Sequence, residues 1–191
     1  MRNSRSHLSG SSAAPTGAVV VITGAMAAGK STVAQLLASR LPRAAHVRGD
    51  VFRRMIVSGR EELTHEESPE ATEQLWLRYR LSAATADGYA RAGFTAVVQD
   101  VILGPALPRY LDLIASRPRF LVVLAPRPDV LEQRERERAK KGYGDWSVAS
   151  LDDALRRDTP RLGLWLDTSD QTPEQSVTRI LNDLPAARIP D

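Results

Sequence analysis

Residues 24–31 read Gly24, Ala25, Met26, Ala27, Ala28, Gly29, Lys30 and Ser31, the spacing G-x-x-x-x-G-K-S. Such a run is useful only where a strand enters it and a helix leaves it, because the loop must turn its backbone N–H groups inward. Glycines permit the turn, the lysine reaches the β and γ oxygens of a phosphate chain, and the serine hydroxyl can ligate Mg²⁺. Both flanks qualify. Residues 18–22 are a short β-branched run suited to a central strand covered on both faces. Residues 29–40 place Val33, Leu36, Leu37 and Leu41 on one helical face. The helix start adds a dipole that favours an anion. A nucleoside triphosphate site is therefore expected at Gly24, Ala25, Ala27, Ala28, Gly29, Lys30, Ser31 and Thr32.

The rest of the chain repeats the strand-and-helix alternation. Strands are expected at 44–48, 94–99, 120–124 and 162–166, and helices from near Asp50, then at 69–92, 105–116, 128–140, 151–158 and 173–184. Parallel strands need crossover connections, so this order predicts a three-layer α/β fold with helices on both faces of a parallel sheet. Residues 1–17 are Ser-rich without apolar periodicity and read as a tail, 18–185 as one domain with a lid near 134–150, and 186–191 as a second tail.

Phosphoryl transfer needs an acceptor placed in line, a metal to offset developing charge, and often a carboxylate to take a proton. In an open α/β sheet the ligand crevice lies beyond the carboxyl ends of the strands. Two acids follow strand ends there, Asp50 and Asp100. Asp50 is a candidate general base with Arg53 and Arg54 available to an acceptor; its other reading is the N-cap of a short helix, and spacing alone leaves both open. Asp100 is a candidate to organise Mg²⁺ with Ser31 beside the acceptor; its other reading is a loop cap. Arg134 and Arg138 share a face of the charged helix 128–140 and are expected to close over the phosphoryl group, Arg134 foremost. The alternative is a solvated helix held by Glu–Arg pairs.

Composition excludes several classes. With no cysteine there is no disulfide scaffold, thiol catalysis or Cys-bound zinc. His7, His46 and His65 form no close metal pair. The net charge of +3 comes from arginines interleaved with acids, which argues against nucleic acid as a partner. No apolar run reaches bilayer length and no signal-peptide pattern opens the chain, so a cytoplasmic protein is expected.

The P-loop, the segment Arg48 to Phe52, the strand ending Gln99-Asp100, the charged run 134–138 and the segment Leu166 to Ser169 together resemble the chloramphenicol phosphotransferase-like and zeta-toxin-like P-loop kinases. The resemblance implies ATP and Mg²⁺, a hydroxyl on a small molecule as acceptor, Asp50 as the base, and a five-stranded sheet in the order 2-3-1-4-5. It also implies that Thr168 lies in the loop beside the adenine. An antibiotic or other secondary metabolite is one acceptor class it suggests. The alternatives are a nucleotide, nucleotide-sugar or nucleic-acid-end kinase, and a non-catalytic ATP-dependent switch. Oligomeric state stays open, a homodimer among the options.

Overall fold

The computed structural model describes residues 15–64, 68–137 and 146–190. Strand β1 (Val19–Gly24) is buried along its whole length, as a β-branched run must be when both faces are covered. Strands β3 (Thr95–Gln99) and β4 (Arg119–Leu124) flank it in parallel, with Val20 beside Val97 on one side and Phe120 on the other. Outside them lie β2 (Ala44–Arg48) and β5 (Leu164–Leu166), completing the parallel order β2-β3-β1-β4-β5. Helices cover both faces, and the expected P-loop NTPase fold is the one observed. Because the chain leaves β1 toward one edge and later returns to the other, the order reverses at β1. A crevice therefore opens at its carboxyl end.

The helices are α1 (Lys30–Arg40), α2 (Gly49–Arg54), α3 (Pro69–Arg91), α4 (Ala106–Leu113), α5 (Pro128–Glu137), α6 (Val148–Asp153) and α7 (Pro173–Asn182). Helix α3 begins where its sequence says it should: the Ser68 hydroxyl accepts from the Ala71 N–H at 3.1 Å and Pro69 takes the first turn. Its buried face is carried by Ala71, Tyr79, Ala83, Ala86 and Ala90. Small residues at this spacing let α3 lie close to the sheet.

Four of the differences from the sequence expectation have a local reason. Helix α4 stops at Leu113, and the Asp87 carboxylate accepts from the N–H groups of Ala115 and Ser116 at 3.0 and 2.8 Å, satisfying donors that a longer helix would have used. Helix α6 starts three residues early on the Ser147 cap and continues as a π-helical turn, Ala154–Asp158. β5 begins only after Gly163, whose φ is +64° and where a Cβ would strike the Leu121 carbonyl. Finally, the segment expected as a closing tail supplies β6 (Arg188–Ile189), antiparallel to β4, with Ala187 and Ile189 buried.

Candidate functional site

The P-loop leaves β1 at Gly24, whose φ of +146° and contact with β4 admit no side chain, since a Cβ would overlap the Leu124 carbonyl. Ala27 is the one non-glycine residue with positive φ, at +62°, among the described residues. Gly29 turns the chain through the left-handed region and opens α1 with no side-chain cap. The first N–H groups of α1 are thus left to a ligand, as an anion site requires. Lys30 is nearly buried, and its Nζ donates to the Ala25 carbonyl across the loop at 2.7 Å.

At the end of β3 the two candidate residues part company. Successive strand side chains alternate between faces. The Ser31 hydroxyl meets the Gln99 Oε1 at 3.4 Å, whereas Asp100, 2% exposed, is held by Arg78. Arg78 Nε donates to Asp100 Oδ2 at 2.7 Å, its Nη2 pairs closely with Oδ1, and the Val101 N–H also donates to Oδ1 at 2.7 Å. Asp100, expected at a metal with Ser31, is thus paired with Arg78, and the side chain that Ser31 meets is Gln99. Both residues offer neutral oxygens, and among the described residues no group of three or more His, Cys, Asp or Glu could hold a metal ion. This donor set suits Mg²⁺ that keeps its waters and arrives on phosphate oxygens.

Asp50 is the second residue of α2. No side-chain cap is formed at that helix start, so the N-cap reading is not what the structure contains. Arg54 Nη2 donates to Asp50 Oδ2 at 2.6 Å, and Arg48 Nε stands 3.7 Å from Oδ1. Oδ1 is buried and has no hydrogen-bond partner among the described residues. One carboxylate oxygen is therefore anchored and the other is available to accept a proton. Arg54 is paired with Asp50. Arg53, one residue earlier, pairs with Glu62 and lines a cavity.

Beside Asp50, Gly49 carries a strict requirement. A Cβ there would overlap the Asp100 carboxylate. The backbone that carries the candidate base therefore rests directly on the Arg78–Asp100 pair. Arg78 in turn lines a cavity of about 270 Å³ walled by Leu75, Tyr79, Leu103, Trp146 and Leu151. Arg78, Gln99 and Trp146 were not anticipated from the sequence. A signal for Arg78 existed: it falls in phase with Ala71, Leu75, Ser82 and Ala86, on the apolar side of α3.

On the far side of β1, the loops after β4 and β5 are tied together. The Arg127 N–H donates to Ser169 Oγ at 2.7 Å, and its guanidinium pairs with Asp170 at 2.8 Å. Hydrogen bonds from Ser169 hold the Asp167 carboxyl below its usual range. Arg134 Nη2 donates to the Thr168 carbonyl at 2.9 Å. Thr168 is 3% exposed and its Oγ1 is buried without a partner among the described residues, a polar group that a ligand in this cleft would satisfy. Arg134 thus stands at the loop expected beside the base. Arg138 and the loop 141–145 lie outside the described residues.

The AAA_33 family model, an AAA domain, matches residues 19–161, from β1 to beyond the π-helical turn. The chain belongs to this family. Among curated proteins none matches this AAA_33 chain. Among solved structures, a sugar kinase from Janibacter sp. HTCC2649 is similar at 24% identity and a TM-score of 0.67, covering 91% of this chain and 96% of that one. The tunicamycin resistance protein of Deinococcus radiodurans is similar at 17% identity and 0.61, covering 91% and 98%. The APS kinase CysC of Mycobacterium tuberculosis, in complex with AMPPNP and APS, is similar at 19% and 0.64, covering 90% and 99%. At these identities the likeness is one of fold. Among the described residues no helix is long and apolar enough to cross a membrane.

Proposed function

We propose that this AAA_33 protein is an ATP- and Mg²⁺-dependent phosphotransferase that moves a γ-phosphoryl group to a hydroxyl of a small molecule. One adjacency carries the reading. Gln99 touches Ser31 of the P-loop, and the next residue, Asp100, holds Arg78 in the wall of the cavity. The phosphate site and the cavity thus meet at one strand end, where an acceptor can stand in line with a phosphoryl group. The likeness to structures described as a sugar kinase and an APS kinase supports the reading. The resemblance to chloramphenicol phosphotransferase-like and zeta-toxin-like kinases supports it as well.

In this mechanism the N–H groups of residues 25–32 and the Lys30 ammonium bind the phosphate oxygens. Ser31 and Gln99 supply the oxygens that would hold Mg²⁺, which offsets charge on the β and γ phosphates. Asp50 Oδ1 accepts the proton of the acceptor hydroxyl while Arg54 fixes the carboxylate through Oδ2. The hydroxyl oxygen forms the new bond to γ-phosphorus as the bond to the β–γ bridging oxygen breaks, and ADP leaves with that electron pair. Arg134 and Thr168 serve the base side of the nucleotide, and Arg134 closes toward the phosphates with its helix.

The decisive measurement is ADP formation by the wild-type chain and by Asp50→Asn, with and without a panel of alcohols. D50N should bind nucleotide nearly as well as wild type and lose transfer by on the order of a hundredfold or more. Transfer equal to wild type would refute the role of Asp50. Nucleotide turnover that no alcohol accelerates would instead favour a switch protein.

A further inference from the structure

The cavity that Arg53 and Arg78 line has a chemical character that narrows the acceptor. Its walls are apolar, and its volume of about 270 Å³ is under twice the roughly 150 Å³ that accommodates benzene in an apolar protein cavity. It therefore has room for one substituted ring. Among the described residues two arginines and two glutamates line it, so their formal charges cancel. Glu61 and Glu62 are exposed at the mouth, Glu62 pairing with Arg53 and with Arg60.

The polar groups deeper in the cavity are almost all engaged. The Tyr79 hydroxyl donates to the Val101 carbonyl at 2.8 Å, and the Trp146 indole N–H donates to the Leu63 carbonyl at 3.2 Å. The Gln74 amide N–H groups go to Gly59 and Glu70, and its oxygen accepts from the Glu61 N–H. Arg78 has donors to spare. Of the five N–H donors of a guanidinium, Asp100 takes two, and no other side chain among the described residues takes the rest. A guanidinium has no acceptor site, so whatever docks against it must present an acceptor oxygen. Asp100 already neutralises the arginine, so an anionic group entering here would lose its hydration and meet a charge-balanced pair in return.

We propose that the acceptor is an uncharged, mostly apolar alcohol whose second oxygen, a carbonyl or ether, docks on Arg78, with Asp100 acting as the positioning residue for that arginine. This rests on the reading of the cavity as the acceptor site. It makes Arg78 the specificity-determining residue.

Three probes of nearly equal size test it: para-acetylbenzyl alcohol, para-ethylbenzyl alcohol and para-hydroxymethylbenzoate. Their binding to the full chain is measured without nucleotide by ligand-observed NMR titration. The acetyl compound should bind about tenfold tighter than the ethyl compound, the scale of one hydrogen bond to a charged donor. The carboxylate should bind weakest. Arg78→Met should abolish the preference for acetyl over ethyl. Arg78→Lys keeps the charge beside Asp100 but loses the planar fork, and should reduce the preference several-fold if R78M does not fold. The carboxylate binding tightest, no saturable binding of the uncharged compounds, or an unchanged preference in both variants would each overturn the proposal. A separate arm with Mg–ATP reads transfer. No transfer to any alcohol with the binding order intact overturns the kinase reading alone, whereas transfer with the carboxylate preferred overturns the acceptor class alone.

Discussion

Replacing Arg78 by methionine would strand a carboxylate beneath the backbone of Gly49. The two side chains are 6% and 1% exposed, so water cannot take over the lost partner without entering the sheet end. Breaking a buried pair by removing one member costs about 3–5 kcal/mol, mostly the cost of the uncompensated charge. For a chain of this size each kcal/mol moves the melting midpoint by about 2–4 °C, so R78M should lower it by about 6–20 °C. Asp100→Asn removes the charge but can keep one oxygen, at the Oδ1 position, for the Val101 N–H and Arg78 Nη2, while its NH₂ replaces the Oδ2 that accepts from Arg78 Nε. Its cost should be smaller, about 1.5–3 kcal/mol, the worth of a hydrogen bond to a charged group. The double variant should then be more stable than the sum of the singles predicts, by about 1–3 kcal/mol, because neither charge is left alone.

Urea unfolding of the four proteins, with the slopes of the transitions compared, supplies these numbers. Strictly additive costs, or an R78M cost below about 1 kcal/mol, would show that the pair is wetted and that Asp100 does not depend on Arg78. The same variants separate two roles for Asp100. If it positions Arg78, D100N should leave Mg–ATP affinity within a few-fold of wild type, while Ser31→Ala should reduce it by tenfold or more. A large loss of Mg–ATP binding in D100N would return Asp100 to the metal.

Three further perturbations follow. Ala27 holds a left-handed conformation that costs an L-residue about 1–2 kcal/mol; glycine removes that cost but adds chain entropy of about 0.4–1 kcal/mol, so A27G should stabilise the protein by about 0.5–1 kcal/mol in urea melts, and a loss of stability would contradict the loop conformation. Gly49→Ala should displace Asp100 and lower both the melting midpoint and Arg78-dependent binding of para-acetylbenzyl alcohol, whereas Gly88→Ala, at a helical site with open space, should do neither. Burial, and secondarily the Arg48 charge, hold the His46 imidazole below its ordinary value of 6.5. The folded state therefore binds fewer protons than the unfolded state as pH falls, so stability is full above about pH 6.5 and declines as pH drops through the folded value. His46→Gln should flatten the fall of the urea midpoint between about pH 7.5 and 5.5, and an unchanged slope would remove His46 as its source.

What could be read in the sequence was set by local rules. The P-loop is a contiguous run, so its spacing named Lys30 and Ser31 directly, the start of α3 followed from a Pro at the first turn, and β2 was legible only as a weak strand. The π-helical turn at Ala154 and the pairing of Arg188 and Ile189 with β4 were invisible because each is imposed by a distant partner. Trp146 in the cavity wall is the same case: its partner, Leu63, is 83 residues away. Asp50 was legible as an acid after a strand. That one of its oxygens is hydrogen-bonded to Arg54 while the other stands 3.7 Å from Arg48 without a hydrogen bond is set only once β2 and α2 fold together.

The end of β3 gives the sharpest case. An apolar strand closing on an acid was read as one functional position, yet the strand closes on two polar residues, Gln99 and Asp100. A period of two obliges neighbours to face opposite ways. Once Gln99 faces Ser31, Asp100 must face α3, where a carboxylate buried to 2% exposure requires a cation. Arg78 is that cation, and the glycine at 49 is what leaves room for the pair. A shift of one residue in the register of β3 would exchange the two roles, placing the acid at the phosphates and the amide against Arg78. The pairing of Arg48 with Gln99 across β2 and β3, and of Ile22 with Gln99 across β1 and β3, fixes the register against that exchange. The separation of the P-loop side of β3, with Gln99, from the cavity side, with Asp100 and Arg78, is therefore a consequence of strand pairing.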